Sequence, residues 1–84
     1  MKIVKRKEDN GIHEFWFDDD YDTWVAITPS SHSWEIQNGD DSDTYMSGNY
    51  VTDGNDVIDY DGCCGELPPT VIIALSTLGY DIDL

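Results

Sequence analysis

Punctuation constrains this chain more than any other feature. Turn-forming residues recur at Asn10-Gly11, Pro29-Ser30-Ser31, Asn38-Gly39 and Asp53-Gly54, with short runs of alternating, β-branched or aromatic residues between them. Asn-Gly and Asp-Gly tolerate the positive φ of tight hairpin turns, so such pairs between alternating runs predict antiparallel hairpins. The runs read as strands over residues 2–8, 12–17, 23–28, 33–37, 43–52 and 56–60. In "SWEIQ", Trp34 and Ile36 alternate with Glu35 and Gln37, which suits a strand buried on one face. Gly48, inside the fifth run, suggests a bulge.

The rest of the chain changes character. "DGCCGELPPTVIIALSTLGYDIDL" carries one helix. Pro68 or Pro69 fits the first helical position, where a missing N–H loses nothing. Glu66 then lies near the positive end of the helix dipole. Val71, Leu75 and Leu78 follow helical spacing, Ile72, Ile73 and Ala74 widen the apolar stripe, and Gly79 is a natural terminator. "YDIDL" alternates again and suits a last short strand. The expected fold class is α+β: an antiparallel β-sheet, a meander of about five to six strands, with one C-terminal helix packed on it. No linker or internal repeat divides residues 1–84, so a single domain is expected.

Charge is the second constraint. Eighteen Asp and Glu face four Lys and Arg, a net charge of −14. The four cations are Lys2, Lys5, Arg6 and Lys7; residues 8–84 contain neither Lys nor Arg. Two like charges 7 Å apart in water repel by about 0.6 kcal/mol before screening. Many such pairs together are large against a domain stability of about 5–15 kcal/mol. Solubility alone needs a net charge of only about 2–8. Disordered acidic tails are poor in aromatics, whereas this chain has three Trp, five Tyr and two Phe, so a folded domain is expected. No apolar run reaches the 18 residues of a membrane span, and "MKIVKRKED" lacks the apolar core of a secretory signal. A cytoplasmic location is the expectation.

The acids collect where turns and strand ends are expected. "FDDDYDTW" supplies Asp18, Asp19, Asp20, Tyr21 and Asp22. The next cluster supplies Asp40, Asp41 and Asp43, and "VTDGNDVIDYDG" supplies Asp53, Asp56, Asp59 and Asp61. A charge run is ordinarily a solvated face, and strand tyrosines are ordinarily half-buried packing. The absence of any Lys or Arg over so long a stretch argues for more. Duplex DNA carries one phosphate per about 3.4 Å along each strand. Carboxylates two residues apart on a strand lie about 6.6 Å apart, so two or three adjacent strand ends together approach that density. These twelve residues are the candidate partner-binding set: carboxylates standing in for phosphates before a protein that binds nucleic acid through a basic groove. Exposed Tyr45, Tyr50, Tyr60 or Trp24 would add Arg contacts.

Other chemistry fits less well. The EF-hand pattern fails in every register, which leaves an irregular calcium site at Asp18, Asp20, Asp22 or at Asp56, Asp59, Asp61 as the alternative. Cys63 and Cys64 are adjacent, without the spacing of a zinc site, so no metal or cofactor is expected. His13 and His32 are the only bases near neutral pH, and no nucleophile or oxyanion-hole motif accompanies them, so no enzymatic activity is expected.

In size, acidity and lack of an enzymatic motif, with "FDDDYDTW" and "DGNDVIDYDG" as its densest parts, the chain resembles the small acidic inhibitors of phages and mobile elements, the DNA-imitating anti-CRISPR proteins above all. It is similar also to bacterial immunity proteins and antitoxins that plug basic nuclease sites. The resemblance implies a stoichiometric inhibitor acting in the bacterial host cytoplasm on a CRISPR effector or a nuclease, with no direct nucleic-acid binding. The alternatives it leaves are an immunity protein or antitoxin and a calcium-binding module.

Overall fold

The computed structural model describes residues 2–18, 20–38, 43–62 and 67–82. Seven strands run β1 (Ile3–Asp9), β2 (Ile12–Phe17), β3 (Asp20–Thr28), β4 (Ser33–Asn38), β5 (Asp43–Asp53), β6 (Asp56–Gly62) and β7 (Asp81–Ile82). A 3₁₀ turn, Pro29–Ser31, joins β3 to β4, and one helix, α1 (Pro69–Thr77), lies between β6 and β7. The strands form a single sheet in sequence order. Neighbours are antiparallel from β1 to β6, and β7 joins β6 in parallel. The architecture is therefore α+β, with seven strands instead of five or six; the short "YDIDL" strand supplies the last.

The turns follow their chemistry. Asn10 and Gly11 take φ of 53° and 82° between the paired Asp9 and Ile12, the two positive values a type I′ hairpin demands. Gly54 (φ 64°) is the first central residue between Asp53 and Asp56, the glycine position of a type II′ hairpin. The turn pair is thus Gly54-Asn55, one residue later than the Asp-Gly reading. Gly48 is not a bulge: it pairs in register with Trp34 and Gly62. The breaks fall elsewhere, where Ile36 and Gln37 pair with Met46 and Thr44, and where Val51 and Thr52 pair with Asp59 and Val57. Trp34, Gly48 and Gly62 are neighbours across three strands, and two of the three have no side chain, which leaves room around a large indole.

One face of the sheet carries the core. Phe15, Val25, Ile36 and Met46 follow one another across β2 to β5, and Ile27 pairs with Trp34. Phe15, Phe17, Val25, Ile27, Trp34, Tyr50 and Val57 are all buried there. On α1, Val71, Ala74 and Leu75 are completely buried against this face, and Ile72, Ile73 and Leu78 pack around them. The fully buried Val71 and Leu75 each contribute about 1.5–3 kcal/mol by leaving water.

The helix begins and ends as its residues dictate. Pro69 occupies the first turn, and the Pro68 carbonyl accepts the N–H groups of Val71 and Ile72 at 3.0 and 3.1 Å. At the other end Gly79 turns left-handed (φ 101°). The Tyr80 N–H reaches Leu75 O and the Gly79 N–H reaches Ser76 O, each at 3.1 Å, which completes a Schellman motif and reverses the chain into β7.

Candidate interaction surface

A meander alternates ends, and this divides the acids. β2 finishes and β3 begins at the same end of the sheet where β4 finishes and β5 begins. Phe17 pairs with Asp20, and Asn38 pairs with both Thr23 and Asp43. The backbone therefore brings Asp18, Asp20, Tyr21, Asp22 and Asp43 to one end, their connections two strands or about 10 Å apart. Asp18 ties that end to the N-terminus: its N–H donates to Lys2 O at 2.9 Å and its Oδ1 accepts the Lys2 N–H at 3.0 Å. Asp19, Asp40 and Asp41 lie outside the described residues.

The other acids form a second zone. Register runs from Gly62 through Gly48 and Trp34 to Ile27, so β6 ends level with the far part of β3. Ile27 is seven residues from Asp20, about 23 Å along the strand. Asp53, Asp56, Asp59 and Asp61 thus occupy the opposite end and far edge, and the nine described members of the set fall in two zones instead of one row. Asp59 pairs with Val51 and Asp61 with Asn49, both on the face away from the helix, and Asp53 pairs directly with Asp56. Like charges directly opposite one another are destabilising.

Lys5, Arg6 and Lys7 lie on β1, the other edge, with Lys2 just before it, and Glu8 and Asp9 finish the same strand. Lys5 holds its Nζ 4.6 Å from the Trp16 ring centroid on the helix-free face, and the Arg6 guanidinium lies 5.1 Å from the Phe15 ring. Trp16 stacks on Trp24, their centroids 5.9 Å apart. Five strand spacings, about 24 Å, separate β1 from β6. The helix itself is uncharged: residues 67–80, which include all of α1, contain no charged side chain. The aromatic expectation needs correction at Tyr50, which is 2% exposed and belongs to the core, because the Tyr50–Tyr60 pair faces the helix. Tyr60 and Trp24 are half-buried.

Among the described residues, no three His, Cys, Asp or Glu side chains come together as a group that could hold a metal ion, Asp56, Asp59 and Asp61 included. Cys63, Cys64 and Glu66 lie outside the described residues.

The fold also makes a feature that local sequence conceals. His13 and His32 line one cleft of about 370 Å³ together with Pro29, Thr52, Gly54, Asn55, Leu78, Gly79 and Tyr80. His32 sits left-handed (φ 50°, ψ 48°) after the 3₁₀ turn, and its carbonyl accepts the Tyr50 N–H at 2.8 Å. Its ring lies 5.2 Å from that of Tyr50. The Tyr50 hydroxyl donates to the Tyr80 hydroxyl at 3.3 Å. Burial, helped by that hydrogen bond and by Tyr80's charge, pushes the Tyr50 hydroxyl far above the usual tyrosine range. The two histidines come to one cleft only through the β2–β3 register and the β3–β4 turn, so no motif announces them.

No protein-family model, curated protein or solved structure matches this chain. Among the described residues no helix is long and apolar enough to cross a membrane.

Proposed function

We propose that the protein is a non-enzymatic, stoichiometric inhibitor that imitates nucleic acid and occupies the basic DNA- or RNA-binding site of a target such as a CRISPR effector. The observation that carries this reading is the segregation of charge. The helix carries no charge, the Lys and Arg cluster on and just before one edge strand, and the charged side chains of the far edge strand β6 are all acids. A partner that touches Asp53, Asp56, Asp59 and Asp61 is about 24 Å from β1. That is three times the Debye length of about 8 Å at physiological salt. The Lys and Arg side chains therefore do not weaken attraction at that zone. Complementary charge of this kind gives fast, salt-sensitive association.

The test is binding to a guide-loaded CRISPR effector nuclease in competition with its duplex DNA. The expected result is mutually exclusive binding whose affinity falls on the order of ten- to hundredfold as salt rises from about 50 to 300 mM, the behaviour of a phosphate-like contact. Neutralising Asp53, Asp56, Asp59 and Asp61 to Asn should weaken it further. Binding that ignores salt, or that leaves the DNA in place, refutes the reading.

A further inference from the structure

The two edges of this sheet are chemically complementary. β1 is one edge. At the other, β7 is in register with β6 only at Asp56 and Val57, so residues 58–62 have no further strand beside them among the described residues. On β1, Lys5 and Lys7 pair with Trp16 and Glu14 and so stand on the helix-free face, while Arg6, opposite Phe15, stands on the helix face. On β6, Asp59 and Asp61 stand on the helix-free face, while Tyr60, opposite Tyr50, stands on the helix face. Cations and anions thus repeat with the same two-residue period on the same face. Strand direction alternates along the meander, so a β1 laid beside β6 without turning the sheet over runs antiparallel to it.

We propose that the β6 edge receives β1 of a second copy of this chain. One antiparallel register makes three matches at once: Lys5 opposite Asp61, Lys7 opposite Asp59, and Arg6 opposite Tyr60. Directly opposed residues of opposite charge stabilise a strand pair, and a guanidinium beside a phenol ring adds a cation–π contact. Exposed apolar groups stand ready near both edges: Val51 and Ile58, 50% and 48% exposed, near β6, and Val4, 46% exposed, on β1. Asp59 Oδ1 accepts the Tyr60 N–H at 2.8 Å, a hydrogen bond that yields where the incoming strand's carbonyl takes that N–H. In this register the incoming strand pairs only as far as Glu8, because its Asp9 falls opposite Val57, which β7 already covers.

Two β6 edges repel, anion against anion, whereas β1 against β6 sets cation against anion at both Lys5 and Lys7. Such a heterologous contact builds an open chain of copies. Net charge acts against it: two bodies of charge −14 repel at a repeat of six strand spacings, about 29 Å. Salt near 0.15 M, with a Debye length of about 8 Å, removes most of that long-range repulsion, whereas ion pairs in contact persist until salt is much higher. Association is therefore strongest at intermediate salt.

Sedimentation velocity on the whole chain tests this. The expected result is a 9.5 kDa monomer at about 10 mM NaCl, larger species that grow with protein concentration near 0.15 M, and monomer again near 1 M. Two charge-reversed variants locate the contact: Lys5→Glu/Lys7→Glu, and Asp59→Lys/Asp61→Lys. All four side chains are exposed, and circular dichroism verifies the fold of each variant. Each alone should associate at least tenfold more weakly than wild type, and their mixture should recover to within a few-fold. A wild-type chain that stays at 9.5 kDa under every condition overturns the proposal. So does a variant that associates alone as well as wild type, or a folded mixture that does not recover. A labelled peptide of residues 2–9 that binds a wild-type chain remaining monomeric also overturns it, and gives the edge to a foreign basic strand instead.

Discussion

Removing one hydroxyl should make this protein less stable in neutral solution and more stable in alkali. Tyr50 is 2% exposed, its hydroxyl donates to Tyr80 at 3.3 Å, and its ring meets that of Tyr80 edge-on at 5.5 Å. Tyr50→Phe keeps the ring and deletes the donor. The bond is long for an O–H···O contact, and the half-buried Tyr80 hydroxyl can turn to water, so the loss is about 0.5–1 kcal/mol. Ionisation then adds a term of opposite sign. The unfolded tyrosine releases its proton around pH 10.0, while the folded one holds it well beyond that. The native state thus binds more protons than the unfolded state above this pH, and stability that is intact below it is lost as pH rises. One such group loses about 0.4 kcal/mol at pH 10 and about 1.4 kcal/mol at pH 11. Phenylalanine has no proton to lose, and the remaining titrations are common to both chains. Urea titrations followed by tryptophan fluorescence should show the wild type ahead at pH 8, and the order reversed by pH 11. A stability gap that stays constant over that range refutes the argument.

Two further outcomes test the packing and the chain reversal. Leu75→Ala empties a fully buried position on α1 and should lower stability by about 2–5 kcal/mol, read as a fall in the urea midpoint. Gly79→Ala places a Cβ with nothing within 4 Å at φ 101°, so its penalty is backbone strain alone. About 1 kcal/mol is expected in a thermal melt, with Gly79→Asn recovering part of it.

The strands were legible because turn chemistry is local. Asn10-Gly11 fixes a hairpin wherever it occurs between alternating runs, and Pro69 and Gly79 mark a helix by their own backbone limits. What a single window cannot show is register. Whether Asp59 and Asp20 share a surface depends on how far β6 slides along β5, and no residue in either segment encodes that distance by itself. Tyr50 reads like its exposed neighbours until alternation across β4 and β5 assigns it to the core. The His13–His32 cleft is hidden for the same reason, since its walls come from two turns, two strands and the helix terminus. β3 starts at Asp20, earlier than its apolar pattern, because pairing with Phe17 carries the strand through the acidic run.

The helix that covers the sheet is encoded after all six antiparallel strands, and this has a consequence for synthesis. Strands β1 to β6 each pair with a sequence neighbour, so their hairpins can close as soon as they leave the ribosome. Residues 69–77 emerge only afterwards, and until then Phe15, Ile27 and Trp34 line a bare apolar wall. Exposed surface of that kind draws nascent chains into aggregates. A strand segment already rich in aspartate keeps neighbouring chains apart during that interval, so the same acidity that marks the finished surface also protects the unfinished one.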